Sequence, residues 1–187
     1  GTRVEAEKIA QLAKASGGTA DVWLDLDANE SRIISQDLRQ YGLVHIATHG
    51  MLDAEHPQFT GLVLSLVGDR DHDGFLRAQE VFNLRLSGSL VMLSACETGL
   101  GKEKRGEGVI GLTRAFLYAG TPLVGVSLWS VADDSTAELM SNFYQGMLST
   151  KKPAAAALRD AQLKMISENR FNAPFFWAPF VLIGDWK

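Results

Sequence analysis

The sequence predicts an α/β protein with a mostly parallel central sheet of about six strands and helices on both faces. Short apolar runs rich in β-branched residues alternate with segments of helical periodicity along the whole chain. One run, LVHIAT at residues 43–48, is almost continuously apolar, which is typical of a parallel strand covered on both faces. Such alternation favours parallel strands joined by helices. The chain has 187 residues without a visible linker or repeat, so we expect a single domain over residues 1–187.

The strands and helices follow from the same patterns, taken in chain order. Strands are expected at Val22–Leu26, Leu43–Thr48, Leu62–Val67, Leu90–Ala95, Leu123–Leu128 and Phe180–Ile183. Helices are expected at Val4–Ala15, Ser31–Tyr41, Gln79–Leu84, Val109–Tyr118, Ser135–Leu148 and Ala154–Ser167. The uncharged run over residues 115–132 approaches the length of a membrane span, but its glycines and proline predict a helix, a turn and a strand instead.

The net charge and the cysteine content limit the classes of protein to which this chain can belong. The net charge of −4 does not favour broad electrostatic attraction to nucleic acid or to anionic lipid. The single cysteine, Cys96, cannot form an internal disulfide, which fits a reducing compartment. The amino-terminal residues lack the apolar segment of a signal peptide. We therefore expect a soluble cytoplasmic protein that requires no cofactor and binds neither nucleic acid directly nor membrane.

Reactive side chains follow two of the predicted strands. The strand at 43–48 leads into His49 and Gly50, and the strand at 90–95 leads into Cys96 and Glu97. Ligands bind beyond the carboxyl ends of strands in open parallel sheets, so neighbouring strands would place imidazole and thiol at one edge. A histidine beside a cysteine can promote thiolate formation and then protonate a leaving amine. The alternative to catalysis is that Cys96 is a small buried apolar side chain and that His49 is a hydrogen-bonded residue at the end of a strand.

Motifs along nearly the whole chain resemble the CHAT family, caspase-like domains associated with tetratricopeptide repeats. The runs VHIATHG at 44–50 and SACETG at 94–99 are similar to that family's histidine and nucleophile motifs. Further similar runs are GEGV at 106–109, RAFL at 114–117, SLW at 127–129, ALR at 157–159 and WAPFVLIGD at 177–185. The histidine and the cysteine are 47 positions apart, close to the caspase spacing of roughly 50.

The resemblance implies a caspase-like sandwich and a cysteine endopeptidase of the caspase and separase class, acting on a protein or peptide. Cys96 would attack the scissile carbonyl, His49 would act as general acid and base, and the backbone amides of Gly50 and Cys96 would stabilise the oxyanion. The family also implies a longer protein in which an amino-terminal tetratricopeptide or other repeat region regulates this domain, whose first strand is missing here. A bacterial source is expected. The alternative is a non-catalytic, caspase-like interaction domain.

Substrate selectivity is left open by the residues that follow the family motifs. Relatives that cleave after basic residues place an acid at positions where this chain has Ser94 and Ser130. Asp133 and Asp134 lie just beyond and could select arginine or lysine at P1, the residue before the scissile bond. The favoured alternative is that they cap the helix that begins there and interact with its dipole. Trp129 is a candidate for the wall of the substrate pocket. The sequence is as consistent with an aliphatic P1 residue as with a basic one.

An acidic loop matches the pattern of a calcium-binding loop. Asp69, Asp71 and Asp73 alternate before Gly74, and Glu80 follows at the bidentate position. The strand expected before this loop is wrong for an EF-hand, which requires an entering helix. The sequence therefore leaves two interpretations, a calcium site at these four carboxylates or a solvated acidic turn.

Overall fold

The computed structural model describes residues 1–51, 53, 56–97, 105–130 and 132–185, with residues 57, 96, 97 and 105–109 described by their backbone. The helices are α1 (Thr2–Ala15), α2 (Glu30–Ser35), α3 (Ala78–Val81), α4 (Arg105–Tyr118), α5 (Asp133–Tyr144), α6 (Ala154–Ser167) and α7 (Pro174–Trp177). The strands are β1 (Leu43–Met51), β2 (Gly61–Val63), β3 (Phe75–Arg77), β4 (Leu90–Glu97), β5 (Leu123–Ser127) and β6 (Phe180–Gly184).

The described residues form two compact units. One unit combines residues 1–22 with 132–181 and contains α1, α5, α6 and α7. The other combines residues 23–130 with 182–185 and contains α2, α3, α4 and strands β1 to β5. The predicted site residues from His49 to Ser130 belong to this second unit, whereas Asp133 and Asp134 belong to the first.

The six strands form one sheet in the order β3-β2-β1-β4-β5-β6. Strand β4 pairs in parallel with β1 on one side and with β5 on the other. Strands β2 and β3 form an antiparallel hairpin, and β2 also pairs antiparallel with β1. The α/β class and the parallel centre of the sheet are therefore confirmed, whereas the hairpin at its edge was not expected from the sequence.

Burial explains why the central strands read as apolar runs. All five residues of β5 are buried, and Val91 and Met92 of β4 have no exposed surface. Side chains alternate between the faces of a sheet, so burial of consecutive residues means that both faces are covered. In the other unit, Leu139, Met140 and Phe143 of α5 are fully buried. Each unit therefore has its own apolar core.

Two strand predictions are wrong in whole or in part. Residues 22–26 are not a strand: Asp25 has a left-handed φ of 51° within a 3₁₀ turn over Asp25–Asp27, and Leu26 is 57% exposed. Among the described residues the segment pairs with no strand, and an apolar run alone does not create such pairing. The strand expected at 62–67 is observed as Gly61–Val63, since Leu66 and Val67 are exposed outside the sheet. Strand β3 was missed because three residues carry too little periodicity.

Helix predictions fail mainly at their ends. The helix expected over 31–41 ends at Ser35, because the Asp37 side chain accepts the Arg39 N–H and begins a separate 3₁₀ turn over Leu38–Gln40. Helix α3 is shorter than expected, and α5 ends at Tyr144 before a π-helical turn over Gln145–Ser149. The predicted bounds of α6 are confirmed.

The uncharged run over 115–132 is divided as the sequence predicted. Helix α4 ends at Tyr118 and β5 begins at Leu123, with Gly120 at a φ of 109° between them. Within the described ranges, none of the helices combines the length and the apolar character that crossing a membrane requires.

Candidate functional site

The central feature of the site is the register between β1 and β4. His49 is paired with Cys96, and Gly50 is paired with Glu97, near the carboxyl ends of these two parallel strands. Adjacent strands lie about 4.8 Å apart, and paired positions belong to the same face of a sheet. Positions 49 and 96, distant in sequence, are therefore direct neighbours in the ladder. Both lie within the observed strands, which continue beyond their predicted ends at Thr48 and Ala95.

The surroundings of His49 come from β1 and from the hairpin. His49 is exposed, and its partner on the other side of β1 is Val63 of β2. The hydroxyl of the preceding Thr48 donates a hydrogen bond to the Val63 carbonyl. This bond fastens β2 to β1 at the level of the histidine.

Replacing Thr48 by valine removes this hydroxyl while preserving the shape of the side chain. We expect Thr48→Val to lower the free energy of unfolding by about 1 kcal/mol, because the hydrogen bond is lost and its acceptor stays partly buried. Denaturant titration measures the change. Thr150→Val is the matched control, since the Thr150 hydroxyl bonds to the Gly146 carbonyl at an exposed position, 2.6 Å away. Equal losses in both variants would contradict a specific role for Thr48.

Gly50 is buried inside β1, where its register partners are Leu62 of β2 and Glu97 of β4. It is therefore part of the ladder and lies inside the strand, beyond the strand end that the sequence predicted at Thr48. The oxyanion role of the Gly50 and Cys96 amides stays a prediction from the family resemblance.

The candidate substrate residues occupy two places. Trp129 is half-buried two residues after the end of β5, and its carbonyl accepts a hydrogen bond from the Ser127 hydroxyl at 2.7 Å, while Ser130 is exposed. Asp133 and Asp134 are exposed in the first turn of α5, in the other unit. The prediction that they cap the helix is wrong in detail, since the N-cap residue is Ala132. Their negative charges in the first turn nevertheless interact favourably with the helix dipole.

Asp134 already has a cationic neighbour. Its Oδ2 lies 3.2 Å from Nη2 of Arg170, with both side chains mostly exposed. An exposed ion pair of this kind contributes little to stability, and water or a competing cation can replace either partner. The substrate roles of Trp129, Ser130, Asp133 and Asp134 stay predictions.

Three of the four carboxylates of the acidic loop bind Ser31 or Arg77. Asp69 accepts hydrogen bonds from the backbone and the hydroxyl of Ser31, at 2.8 and 2.6 Å. Asp73 binds Arg77 at 2.8 Å, and Glu80 accepts the Arg77 N–H at 2.7 Å to cap α3. Asp71 is exposed. Across the described part of the chain, no three acidic, histidine or cysteine side chains converge as metal ligands.

Calcium binding at Asp69, Asp71, Asp73 and Glu80 thus stays a prediction of the sequence pattern. The positive φ of 76° at Gly74 agrees with the sharp turn that the pattern requires. A turn of this kind needs no bound ion.

Two polar groups beside this loop were missed by the sequence analysis. His72 Nδ1 lies 2.9 Å from the Ser31 hydroxyl and 3.2 Å from Asp69 Oδ1. These residue types resemble a catalytic triad, but a triad uses different imidazole nitrogens toward serine and aspartate. Here both contacts involve Nδ1, so the cluster is structural. Glu30, the second missed group, is fully buried, and no local sequence signal marks it.

Comparison with solved structures defines the class of the domain. The crystal structure of the Arg-specific cysteine proteinase gingipain R superimposes with a TM-score of 0.70 over 97% of this chain and 41% of that chain, at 14% identity. At this identity the likeness shows the fold alone. Together with the sheet order, it establishes a caspase-like α/β fold, as the sequence predicted.

The family follows from the sequence itself. The model of the CHAT domain matches residues 1–185, and the chain belongs to this family. Tetratricopeptide repeat protein 28 of mouse and of human are 38% and 40% identical to it over 110 residues. The matched region covers 59% of this chain and 4% of either relative, so the chain corresponds to a small part of those proteins.

Proposed function

We propose that this CHAT domain is a cysteine endopeptidase with a dyad of His49 and Cys96. The observation that carries the proposal is the register that pairs these two residues on the central parallel strands. Cysteine with a neighbouring histidine is one of the nucleophile–base pairs that hydrolyse amides, and the fold is shared with a cysteine proteinase. His49 is exposed, as a residue that contacts a substrate must be.

The proposed reaction has two halves. His49 accepts the proton of the Cys96 thiol, and the thiolate attacks the scissile carbonyl, whose oxygen becomes an oxyanion held by the backbone amides of Gly50 and Cys96. Collapse of this intermediate breaks the C–N bond, and the protonated imidazole gives its proton to the leaving amine. The acyl group is then held as a thioester on Cys96. In the second half, His49 takes a proton from the water that attacks this thioester, the C–S bond breaks to release the carboxylic acid, and the imidazolium returns its proton to the Cys96 thiolate.

Regulation by a repeat region is the second part of the proposal. The curated relatives are named as tetratricopeptide repeat proteins, and this chain matches 4% of their length. Repeat arrays of this kind form extended binding surfaces. We therefore place the domain in a longer protein whose repeats, or a partner bound to them, control access of a protein substrate to the dyad.

A non-catalytic interaction domain is the competing function. The mammalian relatives are named for tetratricopeptide repeats, and repeat arrays of this kind bind other proteins. In such a domain His49 and Cys96 would remain paired in the ladder without reacting. The two functions differ in one measurable property, the reactivity of Cys96 toward an electrophile presented by a peptide.

Covalent labelling tests the proposal directly. The full-length protein is incubated with a library of peptides that carry a thiol-reactive group after the P1 residue, and the modified residue is mapped by mass spectrometry. We expect labelling at Cys96, depending on the P1 residue, and none in Cys96→Ala. The P1 residues of the labelled peptides give the selectivity of the site, and an apolar preference would implicate Trp129. Labelling of Cys96 without any selectivity among the peptides would contradict the proposed endopeptidase activity. The absence of labelling when the repeats or their partner are present would contradict it as well.

A further inference from the structure

Two exposed aromatic side chains lie in the connection between β1 and β2, which follows His49 in the chain. Phe59 is 47% exposed, and His56 is also exposed. The centroids of the two rings are 6.0 Å apart, with an angle of 52° between the ring planes. Aromatic rings offer a large apolar surface with few internal rotations, so a ligand contacts them at a low cost in entropy. The pair is therefore a contact surface for another apolar group.

Hydrogen bonds hold the two rings in place. Asp53 donates its N–H to the hydroxyl of Thr60 at 3.2 Å, and Thr60 is buried. The Asp53 carboxylate accepts the His56 N–H at 2.8 Å, and the His56 carbonyl accepts the Phe59 N–H at 2.9 Å. Asp53 Oδ2 also lies 3.7 Å from Nδ1 of His56, which restrains the orientation of the imidazole. Because the turn is anchored to a buried residue, little conformational freedom is lost when a ligand binds the rings.

The register of the sheet places this turn close to the proposed dyad. Met51 follows His49 by two positions on β1 and is paired with Gly61 of β2, which Phe59 precedes by two positions. Two extended residues span about 7 Å, and paired strands lie about 5 Å apart, so the Cα atoms of His49 and Phe59 are at most about 19 Å apart. The turn over 57–59 also contacts α4, the helix that follows β4. An extended peptide spans this distance with about six residues.

We propose that Phe59 and His56 form a subsite that binds an apolar side chain of the peptide substrate, within about six residues of the scissile bond. This inference rests on the proposed function, because it assigns the selectivity of the same site. The substrate side chain packs against the exposed surfaces of the two rings, and its removal from water stabilises the complex. An aromatic residue contacts both rings, whereas alanine is too short to cover them. This selectivity is separate from that at P1, for which Trp129 is the candidate residue.

Binding of peptides to the Cys96→Ala variant of the full-length protein, with the partner of its repeats present, tests the subsite without a chemical step. The probes are short fluorescent peptides with arginine or leucine at P1, alanine and serine elsewhere, and one phenylalanine moved through the other positions. At one position we expect phenylalanine to bind about tenfold more tightly than alanine, the effect of burying part of one ring. Adding Phe59→Ala should reduce this ratio to within about threefold.

Three further variants control for damage to the turn. Phe82→Ala should retain the full ratio, since Phe82 is 43% exposed and its ring contacts Tyr118 instead, at 5.1 Å. Phe59→Tyr keeps an aromatic ring and should retain most of the ratio. His56→Ala removes the second ring, so it should lower the ratio and provides a second measurement if Phe59→Ala folds poorly.

The outcomes separate the subsite from the peptidase. An unchanged ratio in both Phe59→Ala and His56→Ala, or no preference for phenylalanine at any position, would overturn the subsite. Cleavage of the same peptides is then measured with Cys96 in place. Selective binding that depends on Phe59, without cleavage by this protein, would support the subsite and contradict the endopeptidase.

Discussion

Replacing His49 by glutamine should reduce peptide cleavage and Cys96 labelling by about a hundredfold or more. General acid and base catalysis by a positioned side chain contributes roughly 10²–10⁴-fold, and glutamine preserves hydrogen bonding without carrying the proton. The loss should appear equally in kcat and in kcat/KM, because the proposed imidazole acts in the transition state rather than in substrate binding. Single-turnover cleavage of the best peptide from the library measures it.

His45→Gln is the matched control for this substitution. His45 lies four residues earlier on β1, so it belongs to the same face of the strand, and its register partner is Met92 rather than Cys96. We expect cleavage within a few-fold of the parent. If both variants lose activity equally, the effect reflects damage to β1. If neither loses activity, His49 is not the general base and the proposed dyad is wrong.

Gly120→Ala should lower the free energy of unfolding by about 3 kcal/mol or more. Gly120 follows α4 at a φ of 109°, and a Cβ there would lie 2.2 Å from the Leu86 carbonyl oxygen. The substitution therefore combines backbone strain with a clash against main chain, which cannot move aside as a side chain can. The same contact region includes the hydrogen bond from Leu86 N–H to the Ala119 carbonyl at 3.1 Å.

Gly88→Ala separates the clash from the strain. Gly88 also has a positive φ, 72°, but a Cβ there meets no atom within 4 Å. We expect a loss of about 1 kcal/mol, the cost of a left-handed conformation for alanine. Denaturant unfolding of both variants gives the difference. Losses of equal size would mean that the connection between α4 and β5 adjusts to accept a side chain at position 120.

Local sequence was sufficient to predict the bounds of an element where that element is long or continuously apolar. The start of β1 at Leu43, the start of β4 at Leu90 and the whole of α6 were predicted correctly, because their apolar patterns span several residues. Sequence was insufficient at Asp25, whose left-handed backbone interrupts a segment that reads as a strand. It also failed at β3, since a strand of three residues exists only through its pairing with β2.

The sequence by itself determined the fold class, the family and the two residues that we propose as the dyad, because periodicity and motif are properties of neighbouring residues. Only the tertiary structure decided that position 49 is paired with position 96 rather than displaced by one or two residues. A shift of one residue in register moves a side chain to the opposite face of a sheet, and no local pattern fixes that choice.

The burial of Glu30 has the same origin in tertiary structure. Its carboxyl group has no exposed surface and accepts a hydrogen bond from the Gly74 N–H, 44 residues away, although in sequence it resembles an ordinary surface residue of a short helix. Long-range packing, which no sequence pattern encodes locally, is the physical reason that the structure was needed.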